Sequence, residues 1–377
     1  MTAGERLRVA LVGGPMYDHL YTMLDPAAVE VVIHADHPAL NREVAALLAA
    51  GERLDVIATH SKYAPSQALW LHPLEGLVDT DALAPLAVDL CRFDDVLLCV
   101  PRLIDVRIMW SRHDSPPSTW QALADSDVVF GFPGRESGLF GTFFELVVGA
   151  GGRLFTDDGR PSIDSPAAVA AVQLLCRLAA RARADVPDWH YDQVDAALLD
   201  GRVDAAGVWS GGWGRIRDSR AELQPHPYPA GEQRWVSYAG CHAWAIPRTC
   251  SNLPAAAALV QLLVGHEANA LDAQGGSVCA HVGAFAAVQP VNDTDRRRLA
   301  ITAATAYFVA QEFAYMSVDR SRLKAAAASG DAGAERAAAA RGLRRPDHLG
   351  ERLELGGVPG DRAGAVRLDE PHGLGAV

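Results

Sequence analysis

The chain has 377 residues, and its 34 Lys and Arg against 46 Asp and Glu leave a net charge of -12. At roughly 150 residues per domain this length suggests about two domains, each able to bury a core, which excludes a disulfide-stapled miniprotein. With 49% hydrophobic and 21% charged residues the body is globular rather than disordered, the acidity argues against nucleic acid or an anionic lipid surface as partner, and no apolar run is long enough to span a bilayer.

The first 60 residues alternate strand and helix. Residues 8–12 read as a short apolar strand ending in Gly13, Gly14 and Pro15, and the spacing of Met16, Leu20, Met23 and Leu24 predicts a helix after it. A second, β-branched strand covers 29–34; Pro38 opens a helix that Gly51 closes, and 54–59 is a third strand. This alternation predicts a mainly parallel sheet covered on both faces, with ligands bound beyond the carboxyl ends of the strands. The loops at 13–17, 35–38 and 60–63 are therefore the places to look.

Further on, 97–101 and 106–110 read as two strands flanking Arg102 to Asp105, and a Ser/Pro-rich loop enters a helix at Thr119. A strand at 128–132 runs into a Gly-rich turn and a helix closed by Gly149, Gly151 and Gly152, followed by a turn signature at 157–161. Ser165 and Pro166 cap a helix to about Ala182. Residues 195–199 form a short helix, 203–208 and 238–247 are strands, and 252–265 is a helix. Beyond about Leu323 the composition turns to Ala, Gly, Arg and Asp, which predicts an alanine-rich helix and a loosely ordered end.

The apolar stretch after Arg8 is only about five residues, shorter than a secretory signal needs, so no export signal is expected in the chain as written. Cys91, Cys99, Cys176, Cys241, Cys250 and Cys279 lack C-x-x-C spacing, which disfavours zinc; Cys91 with Cys99, or Cys241 with Cys250, would pair only on adjacent strands. The Gly13-Gly14-Pro15 turn lacks the spacing of a dinucleotide loop, and neither a P-loop nor a nucleophile elbow occurs. His34, Asp36 and His37 offer metal-ligand chemistry only with a distant helper such as His60; the plainer reading makes Asp36 a cap.

Tryptophan carries the most information: Trp189, Trp209, Trp213, Trp235 and Trp244 crowd into one stretch, and Trp209-Ser-Gly-Gly-Trp213 follows a strand. Indoles on a glycine-rich loop suit the C–H face of a sugar ring, although either could instead pack on the neighbouring helix. Hydroxyl partners are available at His60, Ser61 and Tyr63, and at Asp105, which either pairs with Arg102 or Arg107 or accepts from a ligand. Arg135 and Glu136 begin a helix and read equally as an exposed ion pair.

Taken together, RVALVGG, RLDVIATHSKYAPSQALWLHPLEGLVD, LLCVPRLIDVRIMWSRHDSPPSTWQAL, VVFGFPGRESGLFGTFFELVVGAGG, LLDGRVDAAGVWSGGW and YPAG before YAGCHAWAIP stand in a familiar order. The chain resembles the extracellular solute-binding proteins of ABC importers, in the sugar-binding group that includes maltose-binding protein, from about Val9 to Pro290. The resemblance implies a periplasmic-binding-protein type II fold, two α/β lobes with a hinge and an interlobe ligand cleft. Lobe 1 would hold residues 1–107 with about 255–290 and lobe 2 residues 108–250, with 291–322 as a candidate addition and 323–377 as a tail replacing the helices that usually complete lobe 2.

By position, the resemblance puts ligand contacts at Tyr17, Asp36, His60, Ser61, Asp105, Arg135, Trp213 and the Gly240 to His242 turn; the residue reading adds Trp209. It implies a monomer without catalysis, cofactor or metal that binds a sugar or related polyol and delivers it to a membrane permease. Members are periplasmic or lipid-anchored at the cell surface, so the chain would be a mature form, a sequence with a displaced start, or a cytoplasmic descendant. Two other readings stand beside it: a metal-dependent hydrolase using His34, Asp36, His37 and His60, and a cytoplasmic sensor that keeps the binding fold. A carboxylate-bearing solute would be favoured if Arg107 or Arg135 faced the ligand.

Overall fold

The computed structural model describes residues 5–14, 16–93, 96–154 and 161–311. Pro15, positions 157–160 of the turn signature and the whole tail at 323–377 lie outside the described residues. Strands β1 (Leu7–Val12), β2 (Val29–Ala35) and β3 (Val56–His60) are parallel, with β1 in the middle. Between β2 and β3 runs α1 (His37–Ala49), capped by Asp36, whose carboxylate accepts from the Ala39 N–H at 2.8 Å. The helix expected after β1 is a six-residue 3-10 helix, Asp18–Met23. Only Leu20 is buried in it, so no apolar stripe holds a regular α-helix there.

Next come α2 (Ala64–Gln67), α3 (Pro85–Leu90) and the hairpin of β4 (Arg92–Phe93) with β5 (Val96–Leu97). The two strands expected around Arg102 are one, β6 (Val100–Ser111), 12 residues long. The charges that suggested a break are accommodated in place: Arg102 and Arg107 are buried against Asp272 and Glu145. The chain continues through α4 (Trp120–Asp125), β7 (Phe130–Gly131), α5 (Glu136–Gly149), α6 (Pro166–Arg181), α7 (Tyr191–Leu199) and β8 (Ala205–Trp209). It then forms α8 (Trp213–Arg217), β9 (Gln224–His226), β10 (Ser237–Ala245), α9 (Leu253–Leu263), α10 (His266–Gln274) and α11 (Val282–Ala286). Last come α12 (Asp293–Ala304), a π-helical turn over Thr305–Val309 and β11 (Ala310–Gln311).

The main sheet runs β2-β1-β3-β10-β6-β8-β7, with β9 also on β6 and β11 on β10. Two hydrophobic cores lie along it. One gathers residues from Leu7 to Val106 and from Ala239 to Phe285; the other takes residues from Ile108 to Tyr238. These are the two α/β lobes of the type II fold. β6 leaves the first core at Val106 and enters the second at Ile108, while β10, antiparallel to it, returns from Tyr238 to Ala239. A third crossing follows α12, where Ile301 packs in the second core and Ala306 in the first. Paired crossing segments of this kind form the hinge of such folds.

Cys91, Cys99 and Cys241 are buried in the first core, where burial and then contact with the Cys241 and Cys99 thiols push the Cys91 thiol up. All six cysteines are free, so neither pairing considered from the sequence forms. Among the described residues no helix is long and apolar enough to cross a membrane.

Candidate functional site

The carboxyl end of β3, the start of α1 and the middle of β10 bring three imidazoles together. β10 places His242 opposite His60 of β3 and Leu103 of β6, so Gly240 to His242 lie within a strand rather than in a turn. His37, the first residue of α1, approaches His242 with its Nε2 2.6 Å from Nδ1. Ring centroids are 4.6 Å apart for His37 and His242, 5.0 Å for His60 and His242, and 5.9 Å for His37 and His60. Tyr17 completes this wall, its hydroxyl 3.4 Å from His242 Nε2.

Two of the three imidazoles are held in their neutral form. Burial, then the neighbouring His242, Lys62 and Arg102, push His37 down to about 2; burial, then Lys62 and the other two imidazoles, hold His60 well below the usual range. The carboxylate of the site is Asp105, which faces Gly240 across the β6–β10 ladder. Ser210 Oγ donates to its Oδ1 at 2.8 Å, and His242 Nε2 lies 3.7 Å from its Oδ2. Ser210 follows β8 in the second lobe, so this hydrogen bond ties the lobes together beside the imidazoles. Gly211 next to it has no side chain, which lets Met16 of the first lobe pack against the turn.

The second lobe contributes an aromatic wall. Trp209 ends β8 half-buried, its ring 5.3 Å from Tyr191 and 5.5 Å from Tyr238. Behind them the Arg107 guanidinium sits 5.5 Å from the Trp209 ring and 5.8 Å from Tyr191. Burial works against that charge, but the Glu145 carboxylate holds Arg107 well above the usual guanidinium range.

The other expected residues are placed elsewhere. Trp213 is buried rather than presented: one face stacks on Trp110 at 5.6 Å and the Arg298 guanidinium lies 4.7 Å over the ring. It also lines a separate cavity of about 390 Å³ with Gly276, Ala284 and Arg298. Ser61 is buried and fastens β3 to β10, its Oγ accepting from the Cys241 N–H at 2.9 Å. Asp36 is the α1 cap, and Arg135 forms an exposed pair with Glu136 at 3.3 Å.

The hydrolase grouping does not assemble. His34 Nε2 is 2.8 Å from Asp18 Oδ1, Asp36 serves the helix, and His37 turns to His242; among the described residues no group of three or more His, Cys, Asp or Glu is placed to hold a metal. Neither Arg102 nor Arg107 is the partner of Asp105, as the sequence suggested, because Asp272 and Glu145 take them. The sequence reading missed Tyr191, Ser210 and Tyr238. The Arg107 partner had a signal, since Glu145 is the one charge inside the apolar run FGTFFELVVG.

Polar groups from one lobe and flat aromatics from the other thus gather beside the strands that cross between the lobes, the mix of side chains that small-solute sites use. The sequence profile of the bacterial extracellular solute-binding proteins matches residues 28–270. The chain belongs to this family. No curated protein sequence matches it closely. Its fold is similar to that of maltose-bound MalE3 from T. maritima, with a TM-score of 0.68 and 18% identity over 93% of this chain and 99% of that one. The maltose-maltodextrin binding protein of Alicyclobacillus acidocaldarius superposes with a TM-score of 0.66 at 16% identity, covering 90% of this chain and 100% of that one. An ABC transporter solute-binding protein of Thermotoga lettingae, bound with α-D-tagatose, gives 0.67 at 18% identity over 90% and 99%. As a solute-binding protein the chain is of a binding rather than a catalytic family.

Proposed function

We propose that this solute-binding protein takes a neutral sugar or related polyol between its lobes and delivers it, as a monomer, to an ABC permease. What supports the reading is the chemistry gathered where the lobes meet: the imidazoles with Tyr17 and Asp105 from the first lobe and Trp209 with Tyr191 from the second, joined by the Ser210–Asp105 hydrogen bond. Hydroxyls find donors and acceptors on the first, and the C–H face of a ring stacks on the second. Structural neighbours that bind maltose and tagatose support the same class. An acidic solute fits less well. Arg102 and Arg107 are neutralised by buried carboxylates and Arg135 is paired at the surface, so none is left to receive a carboxylate in the cleft. Of the residues placed by resemblance, Tyr17, His60, Asp105 and His242 contact the solute in this reading and Trp209 stacks on it; Ser61, Asp36 and Gly240 shape the backbone that presents them.

A thermal-shift screen over mono- and disaccharides, sugar alcohols and sugar acids at pH 7.5 tests this. A binding sugar at 100 times its Kd raises stability by about 2.7 kcal/mol. The Trp209→Ala variant loses the shift, read against its own melting temperature without sugar. A panel that shifts nothing, or a shift that survives in Trp209→Ala, refutes the reading.

A further inference from the structure

The cavity of about 390 Å³ beside Trp213 lies between α10 and α11 on one side and α8 with the first turns of α12 on the other. Its walls come from both lobes, since Ala273 and Ala284 belong to the first core and Trp213 to the second. It is distinct from the solute site described above. Side chains alternate across a strand, so Trp110, on which Trp213 stacks, stands on the opposite face of β6 from Asp105 and Arg107. Small side chains keep the space: the helices present Ala273 and Ala284 to it, and Val288 and Val291 continue the apolar lining. Pockets of this size and lining hold small molecules.

The polar groups on the cavity are mostly donors. Arg298 is 3% exposed, with its guanidinium 4.7 Å over the Trp213 ring. Its Nε donates to Asp295 Oδ1 at 2.8 Å and its Nη1 to the Gly276 carbonyl at 3.4 Å, a long bond, while Nη2 has no hydrogen-bond partner among the described residues. An indole face attracts the cation but supplies no acceptor in the plane of the guanidinium fork. Asp295 has both oxygens engaged, Oδ1 by Arg298 and Oδ2 by the Val291 N–H at 3.0 Å. Arg217, the second cation on the cavity, leans on Asp218 at the surface. Burial pushes the Arg298 guanidinium down against the hold of Asp295, and Arg217 adds to that push. A ligand that completes the cavity therefore brings an anionic acceptor to Arg298 and an apolar body to the alanines. A sugar would set its hydroxyls against apolar walls, an ammonium would meet two guanidiniums, and a phosphate carries more charge than such walls accommodate. We propose that this cavity is a second binding site, for a small monocarboxylate with a short branched or aromatic body, whose carboxylate accepts from Arg298 Nη2. The site stands independently of what the solute cleft holds.

The test is calorimetric titration of the full chain at pH 7.5 with the sodium salts of isobutyrate, 4-methylpentanoate and benzoate, and with benzamide as the neutral counterpart of benzoate. At least one carboxylate should bind saturably, and benzoate should bind at least about tenfold tighter than benzamide, the difference a hydrogen bond to a charged group makes. Two variants place the binding. Ala284→Leu fills the cavity from α11 and leaves Arg298 in place; Arg298→Met with Asp295→Asn removes both charges, and Asn still accepts from the Val291 N–H. Each should weaken the carboxylate by at least about tenfold, with its own melting temperature read alongside to show that it folds. Three carboxylates that do not bind, benzamide that binds as well as benzoate, or carboxylate affinity unchanged in both variants overturns the proposal. None of these results touches the sugar reading, which the thermal-shift screen decides by itself.

Discussion

Replacing Glu145 by Gln isolates the buried charge pair that supports the aromatic wall. Glu145 and Arg107 are 0% and 1% exposed, and the Arg107 guanidinium donates to Glu145 Oε2 while Glu145 Oε1 accepts from the Tyr238 N–H at 2.7 Å. Glutamine matches the shape and can still serve Tyr238, so the change removes the counter-charge and little else. A guanidinium left buried without its partner costs about 3–5 kcal/mol. For a lobe of this size each kcal/mol moves the melting temperature by about 2–4 °C, so the second lobe should melt roughly 6–20 °C lower, seen by calorimetry. The double variant Arg107→Met with Glu145→Gln should recover most of that loss, since it removes the unpaired charge while Gln still accepts from the Tyr238 N–H. It should nonetheless bind sugar poorly, because Arg107 no longer backs Trp209 and Tyr191. A melting temperature of Glu145→Gln within 1 °C of the unaltered protein refutes the reasoning.

Asp195 is pushed up to about 7 by burial, eased by Arg215 and raised further by Asp192. A carboxyl whose pKa is raised on folding opposes the folded state as pH climbs through the interval from about 4 to 7, so Asp195→Asn should be more stable than the unaltered protein at pH 8 by an amount on the order of 1 kcal/mol. That advantage should vanish below about pH 4; urea titrations at the two pH values check it, and an equal gain at both counts against the assignment. For the cysteines, a thiol reagent should count six free groups after denaturation, with Cys176, the exposed one, reacting first in the native protein. A count of four would mean that a disulfide forms.

Local elements were legible where chemistry is local. The Asp36, Thr119 and Ser165 caps mark three helix starts, and Gly13, Gly51 and Gly151 close elements near where the sequence placed them. The unbroken β6 was not, because Arg102 and Arg107 look like surface residues until Asp272, 170 positions away, and Glu145, 38 away, come to meet them. The site was half legible. His60 stands at the strand end where the sequence places it, Asp105 lies inside β6 rather than between two strands, and His37 and His242, 205 positions apart, meet only through the sheet order. Trp213 misled for a plain reason: a glycine-rich turn can lead its indole inward, and Trp110 offers it a face to stack on.

The sheet order also bears on how the chain is made. β10 lies between β3 and β6, so during synthesis both strands leave the ribosome long before the strand that fills the space between them. The first lobe, although earliest in sequence, cannot complete its sheet until residues beyond Ala245 have emerged, while most of the second core is present sooner. Until then the β10-facing edges of β3 and β6 are open, ready to pair wrongly. The late arrival of one strand therefore leaves a nascent chain with two open edges for an interval, and the same strand, once in place, sets His242 beside His60.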